Sequence, residues 1–169
     1  MNLTFDSEMA INDVISAIEK QISAAIRISY IESNKPWGGY FVINQDDTEL
    51  FIYQFFPELD KVSIGKGKLS PKIIVIAPGK KLSWQYHNRR AELWKVIGGK
   101  IGVITSESDI ESDKKMLKVG EIITINERER HRIIGLNDWG VVAEIWIHTD
   151  SHRPSDEEDI IRLKDDFNR

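Results

Sequence analysis

Two periodicities divide the chain near residue 70. In the first thirty residues, Ile11, Val14, Ile15 and Ile18 recur at i, i+3, i+4 and i+7, and Ile22, Ala25 and Ile26 continue the stripe. Such spacing predicts an amphipathic α-helix, with Asp6 or Ser7 placed to cap its start. The helix serves either to dock a partner or second copy, or to cover one face of the domain. The segment NKPWGGY, Asn34 to Tyr40, breaks the pattern with Pro and Gly. Residues 47–56 are apolar and aromatic enough for a short helix or a strand, and periodicity does not choose between them. IGKGKLSP reads as a connector.

From Pro71 onward the texture becomes short β-like runs separated by turns. The predicted strands are Lys72–Ala77, Leu82–Tyr86, Glu92–Ile97, Lys100–Thr105, Lys115–Val119, Ile122–Ile125, Arg132–Leu136 and Val141–His148, with PGK, GGK, SESDIESD, VGE and LNDWG between them. Short strands at near-regular spacing with Gly turns predict a mainly β sandwich or small barrel. In the acidic tail, Ser155 followed by Glu158 makes a capping-box pattern, so a short closing helix is expected. The chain divides into a helical extension over residues 1–33 and one β domain over 34–169.

Composition narrows the chemistry. The chain has 169 residues, 41% hydrophobic and 30% charged, with a formal net charge of −4. Neither nucleic acid nor an anionic membrane is favoured as a partner. No segment approaches the roughly 20 apolar residues that span a bilayer. Asp6 and Glu8 stand where a secretory signal would be basic and then apolar; the expected location is cytoplasmic. There is no cysteine, so disulfides and thiolate ligands are excluded, and a metal would need N and O ligands.

LSWQYHNRRAELWKV, Leu82 to Val96, is the segment that fits a plain strand least well. Gln85 and His87 are two apart, hence on one face of a strand. Glu92 opens the next strand after a short connection, and His131 precedes a later one. Imidazole, carboxylate and amide oxygen together suit a borderline or hard divalent ion. A polar strand edge would carry the same residues, and the spacing alone does not decide.

The wider pattern adds to this. Pro36-Trp37-Gly38-Gly39-Tyr40, the run from Pro78 to Gly99, the run from Gly120 to Arg132 and the tail from Glu157 to Arg169 stand in one order along the chain. They resemble the motifs of the cupin superfamily, and within it the type II phosphomannose isomerase domain of bifunctional mannose-1-phosphate guanylyltransferases. The resemblance covers residues 34–169, more weakly at 44–70. It implies a cupin double-stranded β-helix, or jelly-roll barrel, and a divalent metal in the barrel mouth. It further implies a metal-dependent sugar-phosphate aldose–ketose isomerase, a mannose-6-phosphate isomerase-like domain standing alone. A non-catalytic metal- or sugar-binding cupin is the alternative.

By the same resemblance, Gln85, His87, Glu92 and His131 would be the ligands, with zinc first and manganese, cobalt, nickel or iron as alternatives. Arg90 falls at the arginine of the family's Arg-Ala-Glu, linked there to isomerase activity. Small barrels of this family pair through edge strands, which admits a homodimer. Some positions depart from the family. Asn88 and Arg89 replace two histidines, Ile125-Asn126-Glu127-Arg128 replaces a turn with Pro and Gly, and the strand Glu144-Ile145-Trp146 runs into a longer connection. The substrate is therefore a sugar phosphate left open between mannose 6-phosphate and another, such as a heptose phosphate.

For isomerisation, Arg90 and Arg132 are candidates for contact with a developing enediolate or phosphate. Lys72 and Arg162 are secondary phosphate candidates, with surface ion pairing as the competing reading. Glu144, on the apolar strand VVAEIW, is either a proton shuttle with a raised pKa or the partner that orients a ligand histidine. Trp94 and Trp146 either stack on sugar or pack the core. Trp84, alternating with Gln85, should face away from the metal. His148 and His152 lie in the polar HTDSH connection and read as exposed.

Overall fold

The computed structural model describes residues 3–167; Asn168 and Arg169, at the end of the tail motif, lie outside them. The first stripe forms α1 (Ile11–Ile22), which buries Val14, Ile15, Ile18 and Ile22. Its N-cap is Ala10, with no side-chain cap bond, and Asp6 instead accepts the N–H of Glu8. The helix is shorter than the stripe suggests, because the chain turns after Ser23 and becomes β1 (Ile28–Lys35). β1 pairs antiparallel with β2 (Gly38–Ile43) through the Pro-Trp-Gly break. The ambiguous aromatic run is α2 (Thr48–Phe55), whose buried Thr48, Phe51, Ile52 and Phe55 share one helical face.

The remaining strands are β3 (Leu69–Ile76), β4 (Trp84–His87), β5 (Arg90–Gly98), β6 (Lys100–Ser106), β7 (Lys115–Lys118), β8 (Ile122–Ile125), β9 (Arg130–Gly135), β10 (Gly140–His148) and β11 (Ile160–Lys164). They build a six-stranded sheet in the order β1-β2-β3-β10-β5-β8 and a five-stranded sheet in the order β11-β4-β9-β6-β7. The pairings are antiparallel throughout. This is the expected jelly roll. The closing helix shrinks to one 3-10 turn, Glu157–Asp159, capped by Asp156 rather than Ser155. The tail then adds β11 to the edge of β4.

Period-two alternation explains where the core sits. On β3, Ile73 and Val75 pack with α1 and α2 on the outside of the larger sheet. Ile74 and Ile76 face into the barrel with Trp94, Val96, Ile101, Val103, Ile133 and Val142. β10 divides in the same way, with Val141, Ala143 and Ile145 outward and Val142 inward. A sheet covered on both faces reads as a near-continuous apolar run, as β3 and β10 do. Glu144 and Trp146 follow Val142 at even spacing and so belong to the interior face. Lys72 precedes Ile74, and Glu92 and Arg90 precede Trp94, on that same face. One end of the barrel is thus apolar and the other polar. Among the described residues, no helix is long and apolar enough to cross a membrane.

Candidate metal centre and cavity

At the polar end, β4 and β9 meet through the pair Gln85 and His131, and β5 brings Glu92 from the facing sheet. The Nε2 atoms of His87 and His131 are 3.2 Å apart. Glu92 reaches both rings, Oε1 lying 3.1 Å from His87 Nε2 and Oε2 3.4 Å from His131 Nε2. All three side chains are buried, and their ligand atoms lie within 4.8 Å of one another. Gln85 directs its amide at the same place, with Nε2 3.5 Å from His87 Nε2; turned over, that amide presents its oxygen.

The donor set fits a divalent ion. His131 Nδ1 is 2.8 Å from the carbonyl oxygen of Glu129, which places the ring proton on Nδ1 and leaves a lone pair on Nε2. Burial, opposed in part by Glu92, pushes the His131 pKa down to about 4, so the ring is neutral near pH 7. Burial would raise the Glu92 carboxyl, but the positive charge around it, that of Arg90 at 2.8 Å included, holds it well below the ordinary carboxylate range. Arg90 donates from Nη2 to His87 Nε2 at 3.1 Å, so that nitrogen also presents a lone pair. Two imidazole lone pairs facing each other beside a carboxylate are satisfied by a shared cation. A buried His–Glu–His group of this kind could hold a metal.

Arg90 is buried, and its Nε donates to Glu92 Oε1 at 2.8 Å. Nη1 donates to the Ser155 hydroxyl at 2.8 Å, and the guanidinium lies 3.5 Å over the Trp146 ring. With these anchors it can release His87 Nε2 and remain in place. Glu144, opposite Trp94 in the register of β10 and β5, accepts the Trp94 Nε1 proton at 3.0 Å. Burial, and then the charge of Glu92, pushes its carboxyl up to about 8. Glu144 is therefore protonated for the most part at neutral pH, as a carboxyl that stores a proton must be.

Arg90, Trp94 and Glu144 line a cavity of about 420 Å³, together with Gln85, Glu92 and His131. Lys72, Trp146, Arg132 and Arg162 line it as well. Lys72 Nζ stands 3.4 Å over the Trp146 ring. Arg132 gives its Nε to the Leu82 carbonyl at 3.1 Å and its Nη1 to Glu111 at 3.2 Å. Trp84 is buried on the other face of β4, where its Nε1 donates to the Asp109 carbonyl at 2.9 Å. His152 is exposed, but His148 is not. It ends β10 buried, with Nε2 2.9 Å from the Ser70 hydroxyl and Nδ1 accepting the Ser155 N–H.

Asp159 is the residue that sequence reasoning missed. Its buried carboxylate accepts from the Asn88 and Arg89 N–H groups at 3.2 and 3.0 Å and from the Ser155 hydroxyl at 2.6 Å. Arg89, which had no role by sequence, pairs with Asp156 and Asp159. Together they clamp the tail over the connection between His87 and Glu92. The acidic stretch SDEED opposite the double arginine of NRR was the available signal.

A family described as mannose-6-phosphate isomerase C-terminal matches residues 50–165. The chain belongs to that family. Among curated relatives, mannose-1-phosphate guanylyltransferase of Escherichia coli is 30% identical over 163 residues, 95% of this chain and 28% of its own length. The alginate biosynthesis protein AlgA of Pseudomonas putida is 26% identical over 164 residues, 97% of this chain and 28% of that protein. The chain thus spans little more than a quarter of either relative. Of solved structures, an oxalate decarboxylase of Bacillus subtilis superimposes with a TM-score of 0.56 at 13% identity, covering 79% of this chain and 30% of the other. KdgF from Halomonas gives 0.51 at 12% identity, covering 72% and 88%. At such identities these two likenesses speak to the fold alone, and the fold they share is the cupin barrel.

Proposed function

We propose that this member of the mannose-6-phosphate isomerase C-terminal family is a metal-dependent aldose–ketose isomerase of a sugar phosphate. The observation that carries the reading is the meeting, in one cationic cavity, of the His87–Glu92–His131 group with Glu144, a carboxyl that keeps its proton near neutral pH. A divalent ion, with zinc as the first candidate, would supply Lewis acidity toward the carbonyl and hydroxyl oxygens of the sugar. Isomerisation moves one proton between C1 and C2 and another between the two oxygens. Glu144, protonated at rest, gives its proton to the substrate's carbonyl oxygen and takes one back from the neighbouring hydroxyl, and Trp94 Nε1 fixes the carboxyl's orientation. Arg90 holds positive charge beside the reacting oxygens without leaving Trp146 and Ser155. Trp146 seats the Arg90 guanidinium and the Lys72 ammonium on its ring, and Lys72 and Arg132 are the further cations on the substrate side.

The test is interconversion of a panel of aldose and ketose phosphates by protein loaded with zinc, manganese or cobalt, followed by NMR in deuterium oxide. Turnover of at least one pair, with deuterium entering at C1 or C2 and loss of both in Glu144→Gln, is the expected result. A second reading has its own support. Arg90 already donates to His87 Nε2 and Glu92, an engagement that a non-catalytic metal- or sugar-binding cupin could retain. Metal and sugar-phosphate binding with no turnover across the whole panel would favour it.

A further inference from the structure

The cavity is cationic in an acidic protein. Lys35, Lys72, Arg90, Arg132 and Arg162 line it against the carboxylates Glu92, Glu144 and Glu157, while the chain as a whole carries −4. Low-dielectric walls focus such a field on an incoming anion. Arg90 is committed to Glu92 at 2.8 Å; Arg132 pairs with Glu111 at 3.2 Å through Nη1 and leaves Nη2 buried without a hydrogen-bond partner. Lys72 is held differently. Its side chain is only 12% exposed, its Nζ lies 3.4 Å over Trp146 and 5.5 Å over Tyr40, and its ion-pair partner is Glu157 at 3.1 Å. The Glu157 side chain is 66% exposed.

The pair is therefore asymmetric. Glu157 can exchange Lys72 for water at small cost, whereas an enclosed ammonium needs an anion in its place. Glu157 begins the 3-10 turn that Asp156 and Asp159 pin to Arg89, so it can leave by side-chain rotation with the tail still clamped. Trp37 Nε1 and Trp146 Nε1 are buried donors without a hydrogen-bond partner, and both residues stand in the cavity wall. Unmet N–H groups of this kind suit an oxygen-rich ligand. Lys72 also lies two strands from Glu92 across β10 with an offset of two residues, about 12 Å between backbones at the usual strand spacing and rise.

We infer that Lys72, seated over Trp146, anchors the phosphate of the substrate, and that Glu157 is a displaceable carboxylate that occupies this place until the phosphate arrives. The inference rests on the isomerase reading for the sugar attached to that phosphate, and on the cavity alone for the anion. Calorimetric titration of the full chain with inorganic phosphate, and then with hexose 6-phosphates, tests it. Removing an exposed competing carboxylate with Glu157→Gln should tighten phosphate binding about two- to fivefold. Lys72→Met should weaken it at least about tenfold, while Lys72→Arg keeps most of it. Equal binding by wild type and Glu157→Gln overturns the inference, as does undiminished binding by Lys72→Met, which would put the phosphate on the metal or another cation. Absence of measurable phosphate binding by Glu157→Gln overturns it too. If this pattern holds while no sugar phosphate is turned over, the isomerase reading fails and the anion site stands. Turnover with an unchanged KM in Lys72→Met gives the reverse.

Discussion

Glu144 allows the cavity to be tested by stability rather than by activity. Its carboxyl is buried and pushed up to about 8, first by burial and then by Glu92. In the unfolded chain it would titrate near 4.3. Between these values the folded protein holds a proton that the unfolded chain has lost, so stability falls as pH rises through that window. Between pH 5 and pH 8 the difference is worth about 3 kcal/mol to the unfolded state. Glu144→Gln carries no charge at either pH and keeps an oxygen for the Trp94 N–H. The amide's own donors cost about 1 kcal/mol or more, but equally at both pH values. Thermal unfolding of protein stripped of divalent ions by a chelator should therefore show wild type losing more than the variant on going from pH 5 to pH 8. For a chain of this size the excess is about 6–12 °C in Tm. Parallel pH dependences for the two proteins would refute the raised carboxyl, and with it the proton-storing role.

Two other predictions concern the frame of the site. Asp159→Ala should destabilise the protein by about 2–4 kcal/mol in urea, since the Asn88 and Arg89 N–H groups and Arg89 itself lose their acceptor. Burial works against that carboxylate, but Ser155, Asn88 and Arg89 hold its pKa below the ordinary value. Its contribution is accordingly present above about pH 4 and fades as pH falls through the lowered pKa, a fading that the variant should lack. Arg128 is the one non-glycine residue with positive φ among the described residues, at 65°, and it stands in the turn where the resembled family has Gly. Arg128→Gly should raise stability by about 0.5–1 kcal/mol by relieving the left-handed backbone, read as a shift of the urea midpoint.

Alternation made most of the barrel legible. Ile122–Ile125 is a strand over the residues expected, and the inward face of β5 follows from the spacing of Glu92, Trp94 and Val96. β1 was not legible because Ile28 and Ile31 continue a helical spacing, and its burial has no period of two. The tail misleads for a related reason. Ser155 and Glu158 look like a capping box, but Ser155 spends its hydroxyl on Asp159 and Arg90, and the residues that follow satisfy their backbone against β4. His148 looks exposed in a polar connection because Ser70, which meets it, lies 78 residues away. Lys72 looks like a surface lysine for the same reason. Its place over Trp146 follows from the register of β3 against β10, which pairs Lys72 with Glu144 and Ser70 with Trp146, and no local pattern encodes that register.

The central claim is that His87, Glu92 and His131 form a metal centre. Its most direct test is elemental analysis of the purified chain after exposure to zinc and removal of free ion, set beside Glu92→Gln and His131→Ala. The account predicts one bound ion per chain in the wild type and a large loss in both variants, with each variant still folded by circular dichroism. A wild type that retains no divalent ion, or variants that retain as much as the wild type, would contradict it.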